Sequence, residues 1–296
     1  MVEIPEGLVR AQVAYNGDAG REFVAGLPAR AAEFLERWEL RRTGPGMHGV
    51  TALVLPVVRA DGSVAVLKLS RVDEESAGEP LALRAWDGRG CVRLLEHDAR
   101  TGVLLLERLD ERLSLSVVAE RDARQAVRVV GELLARLAAV RAPAGVRGLG
   151  GVAAGMLEAV PRALGQVPDR RARGLVADCA AALAEVAGEP GDRLLHWDLH
   201  YGNVLAGGRE RWLAIDPKPL AGDPGFELMP AIRNSFAVGE VRWRFDLLTE
   251  ALGLDRERAR AWTLGRVLQN CLWDVEDGEE GLDEEQLAVA EVLLGR

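Results

Sequence analysis

The feature that most constrains the fold is a change of apolar period part-way along the chain. From Val50 to Leu109, apolar and β-branched residues fall in short runs broken by turn residues. VTALVLPVV and SVAVLKLS are joined by residues 59–62, where Asp61-Gly62 favours a hairpin, and 91–109 divides into two further runs across a turn at 99–102. Between these pairs, 79–86 (EPLALRAW) has the spacing of a short helix opened by Pro80. After Leu109 the period lengthens, and 121–140 repeats its apolar residues every three or four positions, as a helix burying one face does. The same period precedes the strands, with Phe23, Leu27, Ala31, Phe34, Leu35 and Trp38 marking a helix over 21–40. The expectation is an α+β chain: a leading helix and antiparallel strands with one inserted helix over 1–109, then a mainly helical region over 110–296. Within that region the glycine-rich stretch 142–151 is expected to be a loop, and 192–216 is a short apolar and aromatic island between helices.

The bulk numbers narrow the function classes. With 296 residues, 48% of them hydrophobic, one two-lobed unit with a large core is expected rather than several modules. A net charge of −9 disfavours a nucleic-acid partner and suits a cationic small molecule. No apolar run approaches the roughly 20 residues of a membrane span, and the first ten residues lack a basic-then-apolar leader, so no membrane partner and a cytoplasmic location are expected. Cys91, Cys179 and Cys271 are too few and too far apart for a disulfide framework or a zinc site, and are expected to be reduced and buried. Of the 37 basic residues only Lys68 and Lys218 are lysines. Arginine fills nearly every other basic position, which singles out these two compact point charges as phosphate-site candidates.

The chemistry concentrates in LLHWDLHYGNVL (194–205) and WLAIDPK (212–218). Phosphoryl transfer needs a carboxylate to orient and deprotonate the attacking hydroxyl, and oxygen ligands to hold Mg²⁺ against nucleotide phosphates. Asp198, Asn203 and Asp216 supply those groups. The five-residue step from Asp198 to Asn203 matches a kinase catalytic loop, and the apolar run 212–215 then delivers Asp216.

On HWDLHYGNVL and AIDPK the sequence resembles the aminoglycoside phosphotransferase branch of the kinase-like superfamily, most closely its streptomycin 6-kinase and hydroxyurea phosphotransferase members. The resemblance runs over about 35–235 and is specific from about 194 to 228. It implies a bilobal protein-kinase-like fold, with a small antiparallel-sheet lobe over 1–109 for the nucleotide and a helical lobe over 110–296 for the catalytic loop and acceptor. It further implies Asp198 as catalytic base, Asn203 and Asp216 as metal ligands, and His196 as the structural first residue of the loop. The implied donor is ATP or GTP with Mg²⁺, and the implied acceptor is a hydroxyl of an aminoglycoside-type antibiotic such as streptomycin, or hydroxyurea; the alternatives are a kinase of a small metabolite, a sugar or amino alcohol, and a non-catalytic kinase-like nucleotide-binding protein. Asp-Pro-Lys stands where protein kinases carry Asp-Phe-Gly, which favours a small-molecule kinase.

Other candidates follow from context. Gly44, Gly46 and Gly49 are in G-x-G-x-x-G order between a helix and a strand, either a phosphate-covering hairpin or a flexible turn. Lys68 lies in an otherwise apolar strand, where an ammonium requires an anion, here a nucleotide phosphate. Glu79 resembles the helix glutamate that holds such a lysine, or is a helix-start acid capped with Ser76. Glu107, Arg108 and Leu109 resemble the hinge whose backbone meets adenine. His200 is expected to make packing or polar contacts, and Lys218 either reaches the transferred phosphate or neutralises carboxylates. Residues 220–228 resemble the family's stretch after the metal aspartate, which implies that Asp223 and Glu227 orient the catalytic loop or touch substrate; the alternative is a solvated turn that caps the next helix. The acidic run 273–280 offers Asp274, Glu276 and Asp277 as an acceptor wall for a cationic sugar, in the helical region that also holds 242–245, or as a solvated face.

Overall fold

The chain opens on a helix, α1 (Glu6–Arg37), in a computed structural model that describes residues 2–49 and 51–296. This helix starts fifteen residues before the expected 21 and stops three short of 40, and it is broken at Gly17 (φ 55°, ψ −127°). Side chains rarely adopt that conformation, so glycine is required there. Past the break the backbone turns back so closely that a Cβ on Gly20 would lie 2.0 Å from the Gln12 carbonyl oxygen. Leu27, Ala31 and Phe34, one helical face, are fully buried against the sheet that follows.

That sheet takes its strands from the short apolar runs: β1 (Arg41–Arg42), β2 (Met47–His48), β3 (Ala52–Val58), β4 (Val64–Ser70), β5 (Leu94–His97) and β6 (Leu104–Glu107). Val50, where the apolar pattern begins, lies outside the described residues. β3 and β4 pair antiparallel from Ala52↔Ser70 to Val58↔Val64, and the order is β1-β3-β4-β6-β5 with β2 added on β3. Because side chains alternate along a strand, Leu53, Leu55, Val57, Ala65, Leu67, Leu69, Val103 and Leu105 share the α1 face, and Lys68 falls on the other. The short helix α2 (Glu79–Trp86) occupies the bounds its Pro80 predicts. The β5–β6 turn closes on Asp98, which accepts from the Thr101 N–H and hydroxyl (2.9 and 2.8 Å).

Backbone contacts divide the chain into two compact units, Met1–Leu109 and Asp110–Arg296. The second is mainly helical: α3 (Leu115–Ala119), α4 (Ala123–Ala138), α5 (Leu149–Gln166), α6 (Arg170–Val186), α7 (Leu228–Arg233), α8 (Val241–Leu252), α9 (Arg256–Glu276) and α10 (Glu284–Leu294). Several start on an aspartate whose carboxylate accepts an N–H of the first turn, as Asp122, Asp169, Asp255 and Asp283 do. The loop expected at 142–151 ends at 148, and α5 begins at Leu149. This unit also holds five short strands: β7 (Asp110–Ser114), β8 (Arg193–Leu195), β9 (Val204–Ala206), β10 (Trp212–Ala214) and β11 (Leu220–Gly222). β8 pairs with β11 and β9 with β10, both antiparallel. Cys91, Cys179 and Cys271 are free and buried. Among the described residues no helix is long and apolar enough to cross a membrane.

Candidate active site

Two of the short ladders of the second unit, β8–β11 and β9–β10, bring the catalytic candidates together. The 196–203 segment leaves β8 and enters β9, while 215–219 leaves β10 and enters β11. Leu195↔Leu220 and Val204↔Ala214 are paired, so both connecting segments emerge beside each other. Asn203 donates its Nδ2 to the Asp198 carbonyl (2.9 Å), the Ile215 N–H donates to the Asn203 carbonyl (2.9 Å), and the Lys218 N–H donates to the His196 carbonyl (3.0 Å). Asp198, Asn203 and Asp216 are all half-buried. Lys218 Nζ lies 3.7 Å from Asp198 Oδ2, a partly exposed ion pair.

Two fully buried residues hold these loops from behind. Glu227 Oε2 accepts the N–H groups of His196 (2.8 Å) and Trp197 (3.1 Å), and burial pushes its carboxyl up to about 7. His196 contacts the Ile215 carbonyl through Nε2 (2.9 Å), and burial lowers its pKa to about 4. The ring is therefore neutral at pH 7, and Nε2 must carry the proton it donates. Trp197 (φ 64°) and Asp216 (φ 54°) both adopt the left-handed backbone region, which costs a non-glycine residue on the order of 1–3 kcal/mol. Trp197 is wedged between guanidinium groups, with Arg147 4.8 Å and Arg266 5.0 Å from its ring centroid. His200 turns its Nδ1 to the Gly202 N–H (3.1 Å), capping the short 201–203 turn. Asp223 caps the Pro224–Glu227 turn by accepting from Gly225 (2.9 Å) and pairs with Arg258 (2.7 Å); it does not line the cavity described below.

In the first unit, Lys68 (6% exposed) donates to both oxygens of Glu79 (3% exposed) at 2.7 and 2.9 Å. Ser76 turns its hydroxyl to Asp73 (2.8 Å) rather than capping α2, so the Glu79 side chain serves the lysine and not a capping box. Gly44 and Gly46 pack on β3, where an added Cβ would meet Pro56 at 3.2 Å and Leu53 at 3.3 Å, and the Gly49 N–H closes on the Ala52 carbonyl (3.2 Å). The segment is thus a hairpin on β3, not a free turn. Glu107 is tied to Arg93, donating its N–H to that carbonyl (2.9 Å) and accepting the Arg93 N–H on Oε2 (3.1 Å). Arg108 reaches the Thr43 hydroxyl (3.3 Å), and Leu109 is buried.

Beside Asp198 the second unit holds a cavity of about 610 Å³. One face of α9 lines it with Arg266, Asn270, Trp273, Asp274 and Asp277; His200, Met229, Pro230, Arg233, Asn234, Ser235, Asp283 and Gln286 complete the lining. Asp274 accepts from the Asp283 N–H (3.1 Å) and Gln286 Nε2 (3.3 Å), and burial raises its pKa. Glu276 is exposed and is not part of this wall, because it falls off the helical face that carries 270, 273, 274 and 277.

Residues 37–278 match the family model described as aminoglycoside/hydroxyurea antibiotic resistance kinase. The chain belongs to this family. It is similar to a hydroxyurea phosphotransferase of Kitasatospora aureofaciens, 73% identical over 296 residues that span all of this chain and 87% of that protein. It also matches a streptomycin 6-kinase of Streptomyces glaucescens at 53% identity over 303 residues, 100% of this chain and 98% of that one. Among solved structures, a putative fructosamine-3-kinase from Thermobifida fusca YX-ER1 shares the fold alone, with a TM-score of 0.58 at 20% identity over 90% of this chain and 98% of the other. The expected kinase-like α+β fold is therefore the one the chain adopts, and the chain is an enzyme, a small-molecule phosphotransferase of this antibiotic-resistance family.

The sequence motifs carry the loop candidates but not most of the residues that line the cavity. Asn234, Ser235, Arg266, Asn270 and Gln286 come from three separate parts of the chain. Only Arg266 and Asn270 carried a usable signal, since 266, 270, 273 or 274, and 277 recur at helical spacing along α9.

Proposed function

We propose that this enzyme transfers the γ-phosphoryl group of ATP or GTP to a hydroxyl of a streptomycin-like aminoglycoside or of hydroxyurea, and so confers resistance, drawing on the cytoplasmic nucleotide pool. The observation that carries the reading is the locked pairing of Asp198 with Asn203. The amide nitrogen of Asn203 is committed to the Asp198 carbonyl, so its Oδ1 is the atom left to ligate a cation, one short turn from a carboxylate. Asn203 and Asp216 form an all-oxygen donor set suited to Mg²⁺, which keeps waters and phosphate oxygens as its remaining ligands. When bound there, Mg²⁺ would neutralise charge on the phosphates.

Asp198 orients the acceptor hydroxyl and takes its proton on a carboxylate oxygen, with Lys218 as the neighbouring positive charge. Lys68, oriented by Glu79, holds the α- and β-phosphates, under the hairpin of Gly44, Gly46 and Gly49. Glu107, Arg108 and Leu109 are the hinge positions for the base. Glu227 and His196 keep the loop in place, His200 braces its turn, and Asp223 anchors the segment carrying Glu227.

The share of identical residues favours hydroxyurea as acceptor. The cavity favours a larger, cationic one: it presents Asp198, Asp274, Asp277 and Asp283 against Arg233 and Arg266, in a volume far above that of a five-heavy-atom molecule. The test is Mg²⁺-dependent γ-phosphate transfer from ATP and GTP to streptomycin and hydroxyurea, with Asp198→Asn alongside. Expected is transfer to at least one acceptor, reduced about 10²–10⁴-fold in the variant with nucleotide affinity retained. Undiminished turnover in Asp198→Asn would remove the base assignment.

A further inference from the structure

We infer that Asn234 is a positioning residue of the catalytic loop, and that the turn carrying it, set by the buried guanidinium of Arg244, makes the acceptor cavity's wall and the Asp198 loop one hydrogen-bonded unit. The kinetic part of this inference rests on the function proposed above; the structural link does not.

The hydrogen-bonded link begins at the end of α7. This helix is six residues long, and its last carbonyls have no helical partner to accept. Arg244, in the first turn of α8 and 2% exposed, supplies one. Its Nη1 donates to the carbonyls of Ile232 (2.8 Å) and Asn234, and its Nη2 to that of Ser235 (3.1 Å). A planar fork holds its donors in fixed directions toward these three carbonyls, and a cation at a helix C-terminus is favoured by the peptide dipoles. The turn it fixes includes Ser235, whose backbone is left-handed (φ 46°).

Asn234 passes that order on. Its Oδ1 accepts the Tyr201 N–H (3.1 Å) and its Nδ2 donates to the Pro230 carbonyl (2.7 Å), so both ends of the amide are used and its orientation is dictated by its partners. Tyr201 opens the short turn that ends on Asn203, which in turn holds the Asp198 carbonyl. Pro230, Asn234 and Ser235 also line the cavity beside Asp198. An acceptor resting on this wall is thereby held at a distance from Asp198 that one side chain sets, and a misplacement of about 1 Å costs a reaction roughly 10²-fold.

Asn234→Leu removes both bonds at similar volume, and Asn234→Asp keeps the oxygen that Tyr201 needs. Three readouts are taken on the full chain: kcat per folded molecule, the KM of nucleotide and acceptor separately, and hydrogen exchange of the Tyr201 amide. Expected for Asn234→Leu is a kcat about 10–100-fold lower with nucleotide KM within about twofold of wild type, and Tyr201 exchange about 5–10-fold faster. Asn234→Asp should recover most of the loss in both kcat and protection. A Leu variant that merely melts earlier, with wild-type kcat and Tyr201 exchange, overturns the inference, as does a nucleotide KM that rises in step with the kcat loss. Should the wild-type enzyme transfer phosphate to no acceptor, the proposed function fails while the exchange measurement still decides the link between Asn234 and the loop.

Discussion

The two charged centres of this chain are built on opposite plans. Lys68 and Glu79 sit on a regular strand and in the first turn of a helix, both buried, each satisfying the other. Asp198, Asn203 and Asp216 sit on loops and stay half-buried, and the order they have comes from groups behind them: the carboxyl of Glu227, the imidazole of His196 and the side-chain amide of Asn234, whose oxygen accepts the Tyr201 N–H. A buried ion pair is cheapest on rigid elements, where geometry is fixed by the ladder and the helix. A group that must exchange protons or ligands has to face solvent or substrate, so its rigidity must be delegated to polar residues that never leave the interior.

The contrast can be broken most severely at Lys68. Lys68→Met removes the positive charge that meets the buried Glu79 carboxylate and is expected to cost about 3–5 kcal/mol of stability, with loss of transfer. Lys68→Met combined with Glu79→Leu should regain most of the melting temperature but none of the activity. If the single variant melts like wild type, the pair is not the structural unit described.

The plan of the second unit is tested at Glu227. Its folded-state pKa of about 7 exceeds its ordinary 4.5, so the folded state holds the proton more tightly, and stability from this group declines as pH rises through that interval. His196 acts oppositely: with its pKa lowered from 6.5 to about 4, it favours unfolding as pH falls through that window. Glu227→Gln should therefore abolish the first slope alone, changing the wild-type-minus-variant stability by on the order of 3 kcal/mol between pH 4.5 and 7 in denaturant titrations. An unchanged difference across that range would show Glu227 to be an ordinary carboxylate. The smallest effect is expected at Asp277, exposed on the cavity rim: Asp277→Asn should raise the KM of a cationic acceptor about two- to fivefold, less in high salt, and leave that of a neutral one unchanged.

What could be read from the sequence follows the same division. The runs of β3 and β4 and the helix α2 were legible because period and Pro80 act locally. The strands β8 to β11 were not, since three residues are too few to display an alternation, and only the 212–215 run was recognised. Asp198, Asn203 and Asp216 stood out because one short stretch of chain carries them. Asn234 and Arg244 looked like an ordinary turn residue and an ordinary helix arginine, because their meaning lies in carbonyls and an N–H brought near by folding. Reading the 273–280 acids by charge alone admitted Glu276, which the helical face excludes.

The broken first helix bears on any attempt to make this enzyme more heat-resistant. Replacing a helical glycine by alanine is a routine stabilising substitution, worth up to about 1 kcal/mol. Applied to Gly20, it would thrust a methyl group to 2.0 Å from the Gln12 carbonyl oxygen, a backbone atom that no rotamer change can move aside. A thermostabilisation library should leave that position alone and spend its alanines on glycines with open surroundings, such as Gly26 within the same helix.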